Sequence, residues 1–370
     1  MTVAAWGLTD GMAGGPAAVL WPVDEMSRVG EVRRAAESAA VAAGLGETER
    51  GALAVIVTEI ATNLARHARG GRVLLATVGA PGAAGIEVLA LDTGPGIANV
   101  DRALADGFST AGTSGHGLGA IGRMAHEFDV YSQTGGAAGA PAGTVLLARV
   151  WSAAAWRARG GTPNGVPNCV PNGAPNGSPV GAVCVALAGE RACGDAWLVL
   201  RERDRTLVVV ADGLGHGPDA AVASSEAIRV VRSMPGASPI ALMHAAHAAL
   251  RPTRGAALAI AALPAAPGTL HFAGIGNVSA GVYAGGATKS LASHNGTVGH
   301  VMPKVQEFEY DWPESATLVM HSDGINTRWR TDAYPGILRY DPALLSAVLF
   351  RDFARGRDDA TALTLRERAQ

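Results

Sequence analysis

The sequence predicts an α+β chain of two domains, and three observations carry that expectation. Residues Gly160–Gly181 read GGTPNGVPNCVPNGAPNGSPVG, with a proline at every fourth position from Pro163 to Pro179. Ahead of this stretch come two helical runs and then strand-like runs. Behind it the chain is strand-rich, and aspartates recur at the strand ends. Pro-Asn-Gly steps favour turns and extended backbone, and with almost no bulky apolar side chain the stretch cannot repay the entropy of ordering. It reads as a flexible linker over 156–180, joining a first domain at 1–155 to a second at 181–370. As a Gly-rich coil of roughly twenty residues it spans ~25 Å on average. A surface loop inside one domain is the competing reading, disfavoured because structureless loops of that length are uncommon in compact domains.

A chain of 370 residues exceeds the usual size of one core, and each part is long enough to bury its own. The net charge is −2 and no basic run occurs, so neither nucleic acid nor an anionic membrane is an expected partner. Lys289 and Lys304 are the only lysines. The first half therefore lacks the lysine that a P-loop or a protein-kinase fold places on nucleotide phosphates. Cys169, Cys184 and Cys193 have no metal-ligand spacing and read as inert thiols. The start, MTVAAWGLTDGMAGG, has no basic leader, and the longest apolar run, around Ala256–Ala266, is too short to span a bilayer. A cytoplasmic location is the expectation.

In the first half the pattern is helical from Val29 to about Gly44 and from Glu47 to about His67, with Leu53, Val57, Ile60 and Leu64 on one face of the second helix. Glu59, Asn63 and His67 follow at four-residue steps along the edge of that face. Such spacing sets a carboxylate beside an amide over one turn, a geometry able to hold magnesium and orient an attacking group. Taken alone, the triplet reads first as the polar border of an amphipathic helix. Two strand-like runs follow, RVLLATV from Arg72 and GIEVLALD from Gly85, and the second leads into Asp92-Thr93-Gly94-Pro95-Gly96-Ile97. An acceptor at a strand end followed by glycines suits an adenine amino group, although an ordinary turn has the same composition. After FSTAGTSG, the string Gly115-His116-Gly117-Leu118-Gly119 opens a helical run ending near Phe128. Glycines at a helix N-terminus suit phosphates. Gly117, Gly119 and Gly122 also spell G-x-G-x-x-G, but no strand immediately precedes them and no acidic residue ends a second strand about twenty residues on, so a dinucleotide fingerprint is rejected.

With EIATNLARHA, DTGPGI and GHGLG in this order, the stretch from about Val29 to Val150 resembles the GHKL ATPase/kinase superfamily, the Bergerat-fold α/β sandwich. The resemblance implies Glu59 as base or activator, Asn63 as magnesium ligand and Asp92 as adenine acceptor. It implies Gly94 and Gly96 as shapers of the pocket, Gly115, Gly117 and Gly119 as the phosphate cradle of a mobile lid, and Thr144 near the base. The cofactors so implied are ATP and Mg2+. The first histidine is His67, inside the N box, so the acceptor histidine of a histidine kinase is missing ahead of the domain. The compact form resembles the anti-sigma-factor and stressosome switch kinases, which phosphorylate serine or threonine on STAS-domain proteins.

In the second half strand-like runs GAVCVALA, TLVVVADG, AALAIAAL and TLVMHSDG alternate with helical runs near Asp219–Ser233 and Ile240–Leu250. Asp195, Asp212, Asp323 and Asp358 recur along these runs, three of the four beside glycine or at a strand end. One Asp-Gly is ordinarily a turn, whereas four can converge at a sheet rim, where carboxylates suit hard cations that activate water for attack on phosphorus. The strings GDA, ADGLGHG, GIGN, SDG and DDAT, across about Val180–Leu365, resemble the metal-dependent phosphatases of the protein phosphatase 2C type, in particular the SpoIIE-like branch with its αββα sandwich. The resemblance implies that Asp212 bridges two Mn2+ or Mg2+ ions. The Gly213 carbonyl and Asp195 complete one metal site, and Asp323 and Asp358 the other. His216 fits a supporting position or a glycine turn equally, and His294 and His300 lie in a loop to which no role is assigned.

Together the two resemblances imply a bifunctional partner-switching regulator. The first domain phosphorylates a STAS-domain protein, a regulator within a sigma-factor pathway, and the second hydrolyses phosphoserine or phosphothreonine. The alternative is an active phosphatase whose ATP-binding module sequesters or senses without transferring phosphate.

Overall fold

The computed structural model of the chain describes residues 12–13, 17–80, 82–104, 117–135, 141–161, 178–302 and 304–366. They form two compact units. The first holds the described residues of Ala18–Ser178 together with Trp329–Asp352, and the second those of Asp10–Ala17, Pro179–Arg328 and Phe353–Gln370.

The chain opens with a two-residue strand, β1 (Met12–Ala13), and then builds the first unit from β2 (Val19–Pro22), α1 (Ser27–Ala42), α2 (Glu47–His67), β3 (Arg72–Ala80), β4 (Ala83–Leu91), α3 (Val100–Leu104), α4 (Gly117–Met124), β5 (Glu127–Gln133), β6 (Gly143–Trp151) and α5 (Ala153–Ala158). Its antiparallel sheet runs β2-β3-β4-β6-β5. Leu53, Val57, Ile60 and Leu64 bury the expected stripe of α2 against one face of that sheet, where Val73, Ile86, Val88, Val130 and Ala148 point. About 25 cal/mol per Å2 of apolar surface removed from water makes this shared core the main stabilising contribution.

The opposite face is also apolar, with Leu74, Leu89, Leu91 and Leu147 buried. It carries a row of three charges as well, because Glu87, Arg149 and Glu127 are direct partners on adjacent strands. Arg149 donates to Glu87 at 2.7 Å and to Glu127 at 2.8 Å. Its remaining donors reach Asp341 at 2.8 and 3.1 Å. Asp341 stands just ahead of a helix, α8 (Pro342–Phe353), in which Pro342 through Arg351 are all buried. A helix apolar on every side needs cover on every side.

Division of the sequence at its linker assigns Trp329–Asp352 to the second domain, whereas the structure groups this segment with the first unit. The two-sided burial of the sheet and the four-membered ion cluster account for the difference. Two boundaries also differ. The expected linker start at 156 lies inside α5, where Trp156 stacks on His126 and Arg159 lies over the Trp151 ring. The helical run expected to reach Phe128 ends at Met124, and Phe128 is already in β5. Most of the linker, Cys169 included, lies outside the described residues.

The second unit contains β7 (Val180–Val185), β8 (Asp195–Arg201), β9 (Arg205–Gly213), α6 (Pro218–Ser233), α7 (Pro239–Ala249), β10 (Ala256–Pro264), β11 (Gly268–Ile275), β12 (Ser279–Ala284), β13 (Ala287–Leu291), β14 (Phe308–Trp312), β15 (Thr317–His321) and β16 (Ala360–Arg366). One sheet runs β1-β8-β9-β10-β11-β14, so β1 pairs here although it precedes the first unit in sequence; the other runs β13-β12-β15-β16-β7. Every pairing is antiparallel. α6 and α7 close the first sheet over a core that includes Leu198, Val209, Val231, Met243 and Ile260. The chain is thus α+β throughout. Among the described residues no helix is long and apolar enough to cross a membrane.

Candidate active sites

In the first unit α2 presents Glu59 and Asn63 one turn apart, both half-buried. The helix has Glu47 and Glu49 in its first turn and Arg66 and His67 in its last, charges that complement its dipole. Against the pair stands the first residue of α4. A side-chain carbon on Gly117 would lie 3.3 Å from both Asn63 Nδ2 and Glu59 Oε2. Glycine therefore keeps the backbone at the helix start close to both groups. Gly119 is buried in α4, and His67 is exposed at the far end of α2, apart from the cluster. Gly115 and the FSTAGTSG loop lie outside the described residues.

Asp92 follows β4 and is partly buried. Its Oδ1 accepts the Gly94 N–H at 2.7 Å, and its own N–H donates to the Thr144 carbonyl at 3.0 Å. Burial pushes the Asp92 carboxyl up, opposed by the Gly94 N–H, the Arg351 charge and Thr144. Gly96 has φ +75°, and the Gln133 carbonyl leaves no room for a side chain there. Thr93 donates its N–H and hydroxyl to the Arg69 carbonyl at 2.9 and 3.0 Å, tying the turn to the residues just past α2. Sequence reasoning missed Ser132. Its Oγ accepts the Ile97 N–H at 2.7 Å and pairs with the Thr144 hydroxyl at 2.9 Å, so it fixes both sides of the Asp92 turn.

In the second unit, Asp195 at the start of β8 is the direct cross-strand partner of Asp212 at the end of β9. The Gly213 N–H donates to the Gly194 carbonyl at 3.0 Å, and the Ala220 carbonyl packs where a side chain on Gly213 would go. The Asp212 carboxylate accepts the backbone N–H of Asp323, which brings the end of β15 to the same point. Burial, followed by repulsion from Asp195, Asp323 and Asp358, pushes Asp212 up to about 9. Burial likewise pushes Asp195 up to about 7, with Asp359 and Asp358 adding repulsion and the Ser322 hydroxyl opposing it. The four predicted carboxylates therefore share one field.

Such crowding of negative charge suits divalent cations with oxygen ligands. Among the described residues no three side chains already stand as a closed ligand cluster. Like-charged carboxylates keep apart until a cation draws them in, and magnesium retains several waters while using only one or two carboxylates, so the donor set fits.

Supporting residues that the motifs left without a role are now visible. Asp359, 2% exposed, accepts the Leu187 and Gly194 N–H groups at 2.7 Å each and holds both ends of the loop before Asp195. Ser322 donates to Asp195 at 2.7 Å, and Asn277, within the GIGN string, donates to Asp323 at 2.5 Å. His216 pairs with Glu190 at 2.6 Å, and His300 Nε2 lies 3.1 Å from the Thr253 carbonyl. His294 stacks on Phe308.

Residues 23–149 match the family described as histidine kinase-like ATPase domain, and residues 202–367 match stage II sporulation protein E. The serine/threonine-protein kinase RsbT of Bacillus subtilis (strain 168) is 33% identical over 92 residues, covering 25% of this chain and 69% of RsbT. A solved chain from work on the bacterial stressosome is 28% identical, with TM-score 0.47, covering 50% of this chain and 97% of that one. RsbX, solved in complex with magnesium, is 18% identical, with TM-score 0.45, covering 50% of this chain and 92% of RsbX.

Proposed function

We propose that this chain, which belongs to the histidine kinase-like ATPase domains through residues 23–149 and to the stage II sporulation protein E family through residues 202–367, both adds and removes phosphate on a partner protein. The first unit transfers phosphate from ATP to a serine or threonine of a STAS-domain protein, and the second hydrolyses the resulting ester. In the first unit Glu59 takes the proton of the attacking hydroxyl, Asn63 holds Mg2+ and Asp92 accepts from the adenine amino group. Thr144 and Ser132 keep Asp92 in place, and Gly94, Gly96, Gly115, Gly117 and Gly119 let the backbone close on the nucleotide. In the second unit Asp195, Asp212, the Gly213 carbonyl, Asp323 and Asp358 hold two Mn2+ or Mg2+. Bound there, the two cations supply a water activated for attack on phosphorus. Asp359, Ser322 and Asn277 orient the carboxylates that do the holding.

The observation that carries this reading is the convergence of Asp195, Asp212, Asp323 and Asp358. Asp195, buried at the start of β8, and the partly buried Asp212 at the end of β9, Asp323 just past β15 and Asp358 just before β16 repel one another across one sheet end. The partner class rests on the similarity to RsbT, a serine/threonine-protein kinase. Hydrolysis of a chromogenic phosphate monoester by the full chain tests the second unit. Activity abolished by chelation and restored by Mn2+ supports the assignment, and activity that survives chelation removes it. Mg2+-dependent ATP binding lost in Asn63→Ala tests the first.

A further inference from the structure

The excursion between two of the proposed metal ligands ends on the proposed adenine site. Asp323 and Asp358 bracket residues 324–357, and the middle of that stretch, Trp329–Asp352, belongs to the first unit while both its flanks belong to the second. The flanks are stitched to each other. Arg355 N–H donates to the Gly324 carbonyl at 2.8 Å, and Asn326 N–H donates to the Phe353 carbonyl at 2.9 Å. The Asp359 carbonyl packs against Gly324 where any side chain would sit. The base of the excursion is therefore hydrogen-bonded together and packed beside Asp323 on one side and Asp358 and Asp359 on the other.

At its far end the excursion makes specific contacts within the first unit. Arg351, whose side chain is fully buried, donates from Nη1 to the Asp92 carbonyl at 3.3 Å. Its other nitrogens form a fork on Asp352 at 2.8 and 2.7 Å, which fixes the direction of the guanidinium. The Arg351 carbonyl in turn accepts from Arg72 Nη2 at 3.2 Å. Gln133, one residue past Ser132, donates to the Ala333 carbonyl at 3.0 Å. Both strand ends that shape the Asp92 turn, β4 with its following turn and β5, are thus held by the excursion.

We propose that Arg351 is a positioning residue for the nucleotide site, and that through the excursion nucleotide binding and divalent-metal binding are linked. The inference rests on the proposed nucleotide and metal sites. A nucleotide on Asp92 orders the turn that Arg351 grips and so orders the excursion. A metal drawing Asp323 and Asp358 together orders the same segment from its base. Each ligand spares the other part of the ordering cost, so the coupling is positive and, by linkage, reciprocal.

The test uses the full chain. ADP, which carries no transferable γ-phosphate, is the nucleotide probe, and its binding is measured by calorimetry. Mn2+ binding is read from the electron paramagnetic resonance signal of free Mn2+, without and with saturating ADP, each titration corrected by a protein-free Mn2+–ADP control and repeated in Asn63→Ala, which lacks the first unit's proposed metal ligand. The proposal expects ADP to tighten Mn2+ binding by roughly 5-fold or more, the lower end of typical coupling. The effect should vanish in Arg351→Ala and be reduced in Arg351→Lys, which keeps charge and stem but loses the fork. ADP that binds wild type yet leaves Mn2+ affinity unchanged, or weakens it, overturns the coupling while leaving both sites standing. An effect that persists at full size in both variants overturns the role of Arg351. Wild type that binds no ADP, or no Mn2+, overturns the underlying site assignment and the coupling with it. The wild-type comparison decides the matter even if Arg351→Ala fails to fold.

Discussion

Asp195 and Asp212 sit directly opposite each other on neighbouring antiparallel strands, one carboxylate buried and the other partly buried at the same end of one sheet. Like charges so placed are tolerable only if protons or cations neutralise them. This pair fixes both the electrostatics and the pH behaviour of the second unit.

With their carboxyls pushed up to about 7 and about 9, Asp195 and Asp212 hold protons in the folded, metal-free protein that the unfolded chain releases near pH 4. The folded state binds more protons, so the metal-free second unit is most stable at acid pH and loses that contribution as pH rises through 7 and 9. Mn2+ reverses the trend by displacing the protons. Calorimetric titration at pH 7 in buffers of different ionisation enthalpy should show proton release on Mn2+ binding, and affinity should climb between pH 6 and pH 9. A pH-independent affinity with no proton release contradicts this account.

Asp212→Asn removes the carboxylate expected to bridge the metals. Metal-dependent phosphate-ester hydrolysis should fall about a hundredfold or more, since even residues behind the ligands are worth 10–100-fold. Thermal unfolding without metal at pH 7 should shift upward, because folding no longer requires a proton to be taken up at this position. Asp359→Asn loosens the loop before Asp195 and should cost about 10-fold in Mn2+ affinity at unchanged metal stoichiometry.

In the first unit the 3.3 Å gaps from a side-chain carbon at Gly117 to Asn63 and Glu59 leave no space for a branched residue. Gly117→Val should weaken ATP binding by about tenfold or more, in line with the 1–3 kcal/mol cost of overpacking. Asn63→Ala should weaken binding only when Mg2+ is present, so titrations with and without a chelator separate the two variants.

Arg149 pairs with three buried acids, and its removal leaves Glu87, Glu127 and Asp341 without their shared cation. Arg149→Met should destabilise the first unit by about 3–5 kcal/mol, the cost of breaking a buried pair from one side. Urea unfolding followed by tryptophan fluorescence measures it. A loss under about 1 kcal/mol would show that the cluster is solvated in solution.

Much of this was legible in the sequence because it is local. The apolar spacing of α2, the runs that became β3, β4, β6, β9 and β10, and the Asp-Gly steps at strand ends each carry their signal within a few residues. What stayed hidden depends on distant pairing. Arg149 looks like a solvated charge in GTVLLARV until Glu87, 62 residues away, and Asp341, 192 residues away, close on it. Arg351 lies 259 residues from Asp92, and no spacing rule joins them. The strands β11 through β14 carry few long apolar runs and announce themselves only through their register. Asp359 was overshadowed by its neighbour Asp358, although its acceptor role appears as soon as the Leu187 and Gly194 N–H groups are placed.

The central claim, that one chain adds phosphate to a partner and removes it again, is tested most directly by incubating the protein with labelled Mg2+-ATP and a STAS-domain protein. Wild type, Asp323→Ala and Asn63→Ala are compared side by side. The account predicts partner labelling that accumulates in Asp323→Ala, stays low in wild type and disappears in Asn63→Ala. Complex formation without labelling in any of the three would contradict transfer by the first unit and leave it as a nucleotide-dependent binding module.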